Sequence, residues 1–472
     1  MRFGAFWVGP KKNHNIDYFC SMNSGEVIVA LAVSNQASAI HCIRLSGAGC
    51  LAIVGSVFEG SRPLLEAKKG LYYGKIVDGG EEVDEVVVAV YRGPGSFTRE
   101  DVVEISCHGS PVISARIIGM LIERGARPAM AGEFTQRAYL NGRFDLAQAE
   151  AVADLIHAES EEARKQAMQQ LKGGISNQIE SVRETLLHFL SLLELELDFA
   201  EEDVAFANRS ELLALLVKAR KEVQKLLDSF DSGNAIKEGI PLVIAGKPNA
   251  GKSTLLNTLL NENRAIVSDI PGTTRDTIEE RFVFEGLQFR LIDTAGIRSH
   301  TDSDIEQLGI ERTYDKLKEA SLILYVIDIA EVGEVAHSLD HLAPYSDKII
   351  WVLNKADLTL EADPLLPQIV EGAVRVSARD GDVEALLGRL KQESERRFKQ
   401  GDLRISNRRH WFALKEAIEG IEAAQHSLES NLSGEIAVFE LKSALEHLGS
   451  ITGKITNDEV LGAIFSKFCI GK

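Results

Sequence analysis

GKPNAGKS, from Gly246 to Ser253, stands between the apolar run VIA (Val243 to Ala245) and the run TLLNTLL (Thr254 to Leu260). It fits G-x-x-x-x-G-K-[ST], and its flanks predict the strand before and the helix after that such a loop requires. Glycines let backbone N–H groups turn inward around phosphates, and the helix N-terminus adds partial positive charge. Asn249, Ala250, Gly251, Lys252, Ser253 and Thr254 would then line a phosphate cradle. Lys252 would reach the β- and γ-phosphates, and Ser253 would give its hydroxyl to magnesium.

Two more motifs follow in order, DTAG (Asp293 to Gly296) and NKAD (Asn354 to Asp357). Asp293 is expected to hold magnesium through its shell, and the backbone of Gly296 to feel the γ-phosphate. Asn354, Lys355 and Asp357 are placed on the nucleotide. Asp357 can accept from guanine N1–H and the N2 amine; adenine has no such donor pair, so the carboxylate would stay unpaired with ATP. LILYVIDIA (Leu322 to Ala330) and KIIWVLNKAD (Lys348 to Asp357) read as buried strands, the second ending on the motif. SAR follows, with Ser377 and Ala378 as the loop for guanine O6. One such motif can be a chance turn; three in order on this frame predict a Ras-like P-loop α/β GTPase domain.

At 472 residues the chain should hold about two to four domains. A charged content of 26% beside 45% hydrophobic residues is that of a globular chain, and no apolar run is long enough to span a bilayer. The net charge of −18 argues against a broad nucleic-acid surface but leaves room for a local basic patch. Five scattered cysteines offer neither metal spacing nor an even disulfide set, which points to the reducing cytosol.

The rest divides by pattern. Ser24 to Gly47 predicts two strands with a polar turn; Glu85 to Ser110 predicts strand, loop, strand; Pro111 to Ala126 predicts an amphipathic helix with proline at its start. From Leu146 the period is helical and free of proline as far as Ile240, which suggests a bundle. Leu193 to Val204 alternates like a strand, but its flanks favour a helix end. Helical period returns from Ser406 to Ser450. The fold class is therefore multidomain: an α+β N-terminal domain, and an all-α helical domain interrupted by the α/β GTPase domain. The boundaries read as an extension over 1–22, the α+β domain over 23–141, a first helical stretch over 142–238, the G domain over 239–396 and a second helical stretch over 397–472.

PGSFTREDVVEISCHG (Pro94 to Gly109), GEFTQRAYLNGRFDLAQAEAVADLI (Gly132 to Ile156), GTTRD (Gly272 to Asp276) and IFSKFCIGK (Ile464 to Lys472) carry a resemblance over nearly the whole chain, from about Ser24. The chain resembles the MnmE (TrmE) family of tRNA-modifying GTPases, and the terminal Cys-Ile-Gly-Lys is the most specific of these marks. The resemblance implies a GTP hydrolase that acts with the flavoprotein MnmG. The pair would form carboxymethylaminomethyl or aminomethyl at C5 of the tRNA wobble uridine, from a tetrahydrofolate one-carbon unit. It also implies a cytoplasmic homodimer joined through the folate-binding N-terminal domain, with GTP, magnesium and potassium as cofactors.

Residue by residue, the resemblance puts folate contacts on Arg44, Glu104, Arg143 and Lys472, with Arg44 and Glu104 as an ordinary ion pair the alternative reading. Arg143 stands where the family usually has lysine, which keeps the charge and changes the geometry. The turn SNQAS (Ser34 to Ser38) departs from the family's Pro/Gly-rich loop. Potassium would be held by Asn249 with backbone oxygens of Ser268, Ile270 and Thr273, although asparagine also suits a turn by itself. Thr274 would join Ser253 on magnesium. Ile297, after DTAG, cannot orient water as glutamine does there in Ras-like enzymes; the family's switch II glutamate corresponds to Glu306, and a solvated helix-start carboxylate is the plainer reading.

Cys469 sits on a terminal segment that Phe465, Phe468 and Ile470 should pack near the folate and modification centre; it is read as a residue of that centre rather than an essential covalent catalyst. Asn407-Arg408-Arg409-His410 could touch tRNA or phosphate, or be a solvated helix start. Residues 1–21 are expected to be dispensable, with translation starting at Met22 as one way this could arise. Two other functions compete: a GTP switch in ribosome assembly without chemistry of its own, and a scaffold that only gates MnmG.

Overall fold

The computed structural model describes residues 25–198, 209–262, 280–292, 316–331, 340–358, 372–398, 403–430 and 432–471. They form two compact units: 1–153 with 176–183 and 445–472, and 154–175 with 184–444.

The first unit is built on a seven-stranded sheet. Its strands are β1 (Ile28–Leu31), β2 (Ile40–Ser46), β3 (Phe58–Gly60), β4 (Gly70–Asp78), β5 (Glu81–Tyr91), β6 (Val102–His108) and β7 (Arg127–Pro128), in spatial order β3-β4-β5-β6-β2-β1-β7. All neighbours are antiparallel except β1 and β7. The strands predicted within Ser24 to Gly47 and Glu85 to Ser110 appear as β1, β2, β5 and β6. Along β5, Val86, Val88 and Val90 point into a core shared with Val54, Ile117 and Leu121 of the helices Cys50–Gly55 and Pro111–Glu123. The opposite face of the sheet leaves Leu71, Tyr73 and Val87 exposed. That is the one-sided burial an antiparallel sheet permits.

Glu133 is fully buried in this unit, and its carboxylate takes Arg127 at 2.6 Å and Arg137 at 3.1 Å. Burial alone would raise its pKa. Hydrogen bonds from Arg127 and the Met130 N–H, with the charges of both arginines, outweigh that and hold it below the ordinary value.

The second unit carries a six-stranded sheet of β8 (Ile240–Ala245), β9 (Glu280–Phe284), β10 (Leu287–Leu291), β11 (Leu322–Asp328), β12 (Ile349–Asn354) and β13 (Val374–Arg375), in order β13-β12-β11-β8-β10-β9. Only β9 runs antiparallel to its neighbour. β11 is buried from Leu322 to Ile327, as expected for a parallel strand covered on both faces. The β9–β10 hairpin is tied to the segment before helix Glu161–Leu171: Glu159 accepts from Gln288 and pairs with Arg281 at 3.4 Å, and the Glu162 N–H donates to Gly286 at 3.3 Å.

Long helices complete the unit, Arg209–Asp228 packing on Arg408–Glu429. Helix Gly174–Asp198 runs through the stretch from Leu193, so its described portion is helix rather than strand. Asn407 caps helix Arg408–Glu429 by accepting from the Arg409 N–H at 2.9 Å. The expected helix start is therefore present, but it is not fully solvated: His410 is buried, because the helix packs on that side. Among the described residues no helix is long and apolar enough to cross a membrane.

Candidate functional site

Two of the groups read from the sequence are brought together, one in each unit. In the second unit the phosphate loop joins β8 to helix Lys252–Glu262 at the carboxyl end of the sheet, the side on which open α/β sheets bind ligands. Gly246 has φ +144°, and a Cβ there would lie 2.2 Å from the Val326 carbonyl oxygen, so the loop can pass β11 only without a side chain. Asn249 has φ +65° and is exposed; asparagine tolerates this left-handed backbone, and its amide stays open to solvent. The Lys252 ammonium is folded back on the carbonyls of Gly246 (3.0 Å) and Lys247 (2.8 Å), across the mouth of the loop. Burial lowers its pKa from the ordinary 10.5. A half-buried cation that no carboxylate pairs among the described residues, beside a helix N-terminus, suits a phosphate. Ser253 follows on the first turn, and Thr254 is exposed beside it.

The end of β12 and the loop after β13 meet the phosphate loop. Asn354 is 2% exposed. It donates to the Ala250 carbonyl at 2.9 Å and accepts the Ala378 N–H at 3.1 Å, so one side chain ties the phosphate loop to the 377–379 loop. Thr258 adds a second tie, donating to the Ala378 carbonyl at 2.7 Å. Lys355, at φ +64°, lays its ammonium on Asp328 at 2.6 Å. The Ser377 hydroxyl, with one proton to donate, lies between Asp380 at 2.7 Å and Asp357 at 3.1 Å. Ser268, Ile270, Thr273, Thr274, Asp293, Gly296, Glu306 and Lys472 lie outside the described residues.

In the first unit, Arg44 and Glu104 face each other across β2 and β6. Arg44 Nε and Nη2 both lie 2.7 Å from Glu104 Oε1, so the ion pair of the plainer reading is made. Arg44 Nη1 donates at 3.0 Å to the carbonyl of Gly471, which brings the terminal segment to this pair. The Arg44 guanidinium stands 5.8 Å from the Phe134 ring. Arg143 lies 5.0 Å and 5.1 Å from the rings of Phe97 and Phe144 and donates to the Ser96 carbonyl at 2.5 Å. Phe97 packs against the cluster of Ile28, Ala30, Ala129 and Phe134, so the two arginines flank one apolar patch. Phe465 and Phe468 are buried as expected, whereas Ile470 is not a packing residue: it is 65% exposed, like its exposed neighbour Cys469. Burial, then the charge of Glu104, raises the pKa of the nearby Cys42 thiol, against thiolate formation there.

Sequence reasoning missed Asp328, Thr258 and the structural role of Asn354. Asp328 had a usable signal, a carboxylate closing an apolar parallel strand. Thr258 inside TLLNTLL had none. Among the described residues no group of His, Cys, Asp and Glu could hold a metal by itself.

Comparison with known proteins agrees in outline. The family model for the GTP-binding protein TrmE N-terminus matches residues 27–143, and that for the MnmE helical domain matches 146–469. The second match extends on both sides of the six-stranded sheet, as a helical domain interrupted by a G domain should. A tRNA modification GTPase MnmE of Cytophaga hutchinsonii is 46% identical over 95% of this chain and 98% of its own. Its counterpart in Flavobacterium johnsoniae is 46% identical over 96% of this chain and all of its own. Among solved structures, the FeoB G domain of Methanococcus jannaschii matches 33% of this chain and 98% of its own at 22% identity, with a TM-score of 0.25, too low to bear on the argument.

Proposed function

The chain belongs to the MnmE (TrmE) family of tRNA modification GTPases, and on that premise we propose that this GTP hydrolase is potassium-activated and works with MnmG. The product would be carboxymethylaminomethyl or aminomethyl at C5 of the wobble uridine, from a tetrahydrofolate one-carbon unit. The observation that carries the reading is Asn354 joining the phosphate loop to the base-reading loop, which pre-forms one pocket for both ends of GTP.

Within that pocket Lys252 exchanges two backbone carbonyls for phosphate oxygens. Asp357, steadied by Ser377, accepts from guanine. The hydroxyl of Ser253 and the exposed amide oxygen of Asn249 are hard donors of the kind magnesium and potassium take. Thr274 would join Ser253 on magnesium, with Asp293 acting through its shell; Ser268, Ile270 and Thr273 would join Asn249 on potassium. Potassium, when bound, offsets negative charge that develops on the phosphates. Glu306 would orient the attacking water in place of the glutamine that Ile297 replaces.

The first unit supports the other half of the reading. Arg44, Arg143 and Glu104 supply charged donors and an acceptor around an aromatic patch, suited to a ring system with an anionic tail. Lys472 would add a further cation, and Cys469 would lie at the modification centre. Leu71, Tyr73 and Val87 form an apolar strip on the outer sheet face that suits homodimerisation. The protein would act on tRNA in the cytoplasm.

GTP hydrolysis in potassium against equal sodium, with Asn249→Ala as control, tests the proposal. Strong stimulation by potassium that is lost in the variant is expected. Equal slow rates in both salts would remove the cation-activated mechanism and favour the plain switch.

A further inference from the structure

The segment after helix Asp458–Phe465 is docked on the N-terminal sheet at several independent points. Phe465 and Phe468 are buried with ring centroids 5.4 Å apart, and Phe465 lies 6.3 Å from Tyr139. The docking groove requires a glycine: a Cβ on Gly132 would sit 2.6 Å from the Phe465 carbonyl oxygen and 3.0 Å from Phe468 Cβ. Ile470 then makes an antiparallel bridge to Ala131, and the Gly132 N–H reaches the Cys469 carbonyl at 3.4 Å. Gly471 is buried again at φ +96°, where a Cβ would meet the Leu31 carbonyl oxygen at 2.6 Å and Ala32 Cα at 3.1 Å. Phe468 and Gly471 are thus both held, and Cys469 and Ile470 between them face outward.

Arg44 supplies the last of these attachments, and it is aimed before the segment arrives. Two of its three nitrogens are held by Glu104 on the next strand, and its guanidinium carbon is 5.8 Å from the Phe134 ring centroid. A planar fork held this way has one direction left for Nη1, and the Gly471 carbonyl lies there at 3.0 Å. A lysine ammonium has donors enough but no rigid fork to fix their direction.

We propose that Arg44 is the positioning residue of this segment, holding the Gly471 carbonyl so that the Cys469 thiol and the Ile470 side chain are presented at a set place above the N-terminal sheet. Among the described residues, the other attachments beyond Phe468 are the Ile470–Ala131 bridge, the long Gly132–Cys469 contact and the fit of Gly471, and the Arg44 bond is the charge-assisted one. Glu104 acts on the segment through Arg44. The proposal goes beyond folate binding and holds with or without that ligand.

A nitroxide on Cys469 tests it, in the full chain carrying Cys20→Ser and Cys42→Ser, with no nucleotide, folate or partner added. The parent line shape should be mainly immobilised. Arg44→Gln and Gly471→Ala should each raise the ratio of mobile to immobile label by about tenfold or more, as loss of a charge-assisted hydrogen bond implies. Arg44→Lys should restore it only partially. Arg116→Gln, which loses an exposed pair with Glu81, should leave it unchanged. A fully mobile parent overturns the proposal, as does a parent-like spectrum in either folded variant, since one removes the donor and the other pushes the carbonyl it holds away from Leu31. Circular dichroism reports folding, and if Arg44→Gln does not fold, Gly471→Ala decides alone.

Discussion

Replacing Asn354 by alanine removes two buried hydrogen bonds at once and leaves their backbone partners behind. Ala250 and Ala378 are 1% and 3% exposed, so neither the carbonyl of the first nor the N–H of the second gains easy access to water. An orphaned buried group costs about 1–3 kcal/mol, giving about 2–6 kcal/mol for the pair. Because both groups lie on loops that can relax, about 3 kcal/mol is the working figure. The tie joins the phosphate loop to the 377–379 loop, and on the proposed reading GTP would have to restore it on binding. A penalty of about 3 kcal/mol corresponds to roughly a hundredfold loss of affinity.

Gly251→Ala attacks the same tie from the other side: its Cβ would fall 2.1 Å from Asn354 Nδ2. Titration of a fluorescent GDP analogue measures the affinity, and urea unfolding measures the stability of the free chain. The two substitutions should be nearly as costly together as apart, since each breaks one shared contact. A change in Kd of less than about threefold for Asn354→Ala, with unfolding unaltered, would refute the claim that this side chain pre-forms the pocket.

Glu133→Gln should flatten the acid side of the stability curve. The Glu133 pKa is lowered below its ordinary 4.5 in the folded state, so its contribution is complete above that value and is lost as pH falls through the lower folded value. Unfolding measured at a series of pH values below 4.5 checks this, and an unchanged slope would count against the buried network. Lys252→Met should abolish measurable GTP binding while the chain stays folded, read by nucleotide titration and circular dichroism. In the parent, affinity should fall as pH rises, the fall setting in before pH 10.5, because burial lowers the Lys252 pKa and phosphate requires the charged form. The nucleotide-free chain should gain stability over the same rise in pH, since the unfolded lysine then holds more protons than the folded one. Arg143→Ala should lower the stability of the N-terminal unit by about 1–3 kcal/mol, from two aromatic contacts and one hydrogen bond to Ser96, read by thermal unfolding.

What could be read from the chain was local and periodic. The run from Glu85 read as a strand and appears in β5, the apolar run of Leu322 to Ala330 read as a buried strand and appears as β11, and GKPNAGKS read as a phosphate loop through its glycines. Each signal lies within a few residues and follows from backbone geometry, so one sequence suffices to see it. Ile470, an apolar residue expected to pack, is exposed because Phe468 and Gly471 on either side take the buried positions. His410, read within a charge run, is buried because its helix turns that side inward.

Which distant residues meet was decided only by the tertiary structure. Arg44 and Glu104 are 60 positions apart, Asn354 and Ala250 are 104 apart, and Arg44 and Gly471 are 427 apart. No period in the chain encodes those meetings; they depend on strand register, on the order of strands in each sheet and on close approaches at Gly132, Gly246, Gly251 and Gly471. The sequence by itself pointed to a GTPase and to the residue types expected to meet the nucleotide. The fold decided which side chains hold the binding loops together, because a hydrogen bond needs its two partners brought to about 3 Å, and only the packed chain sets that distance.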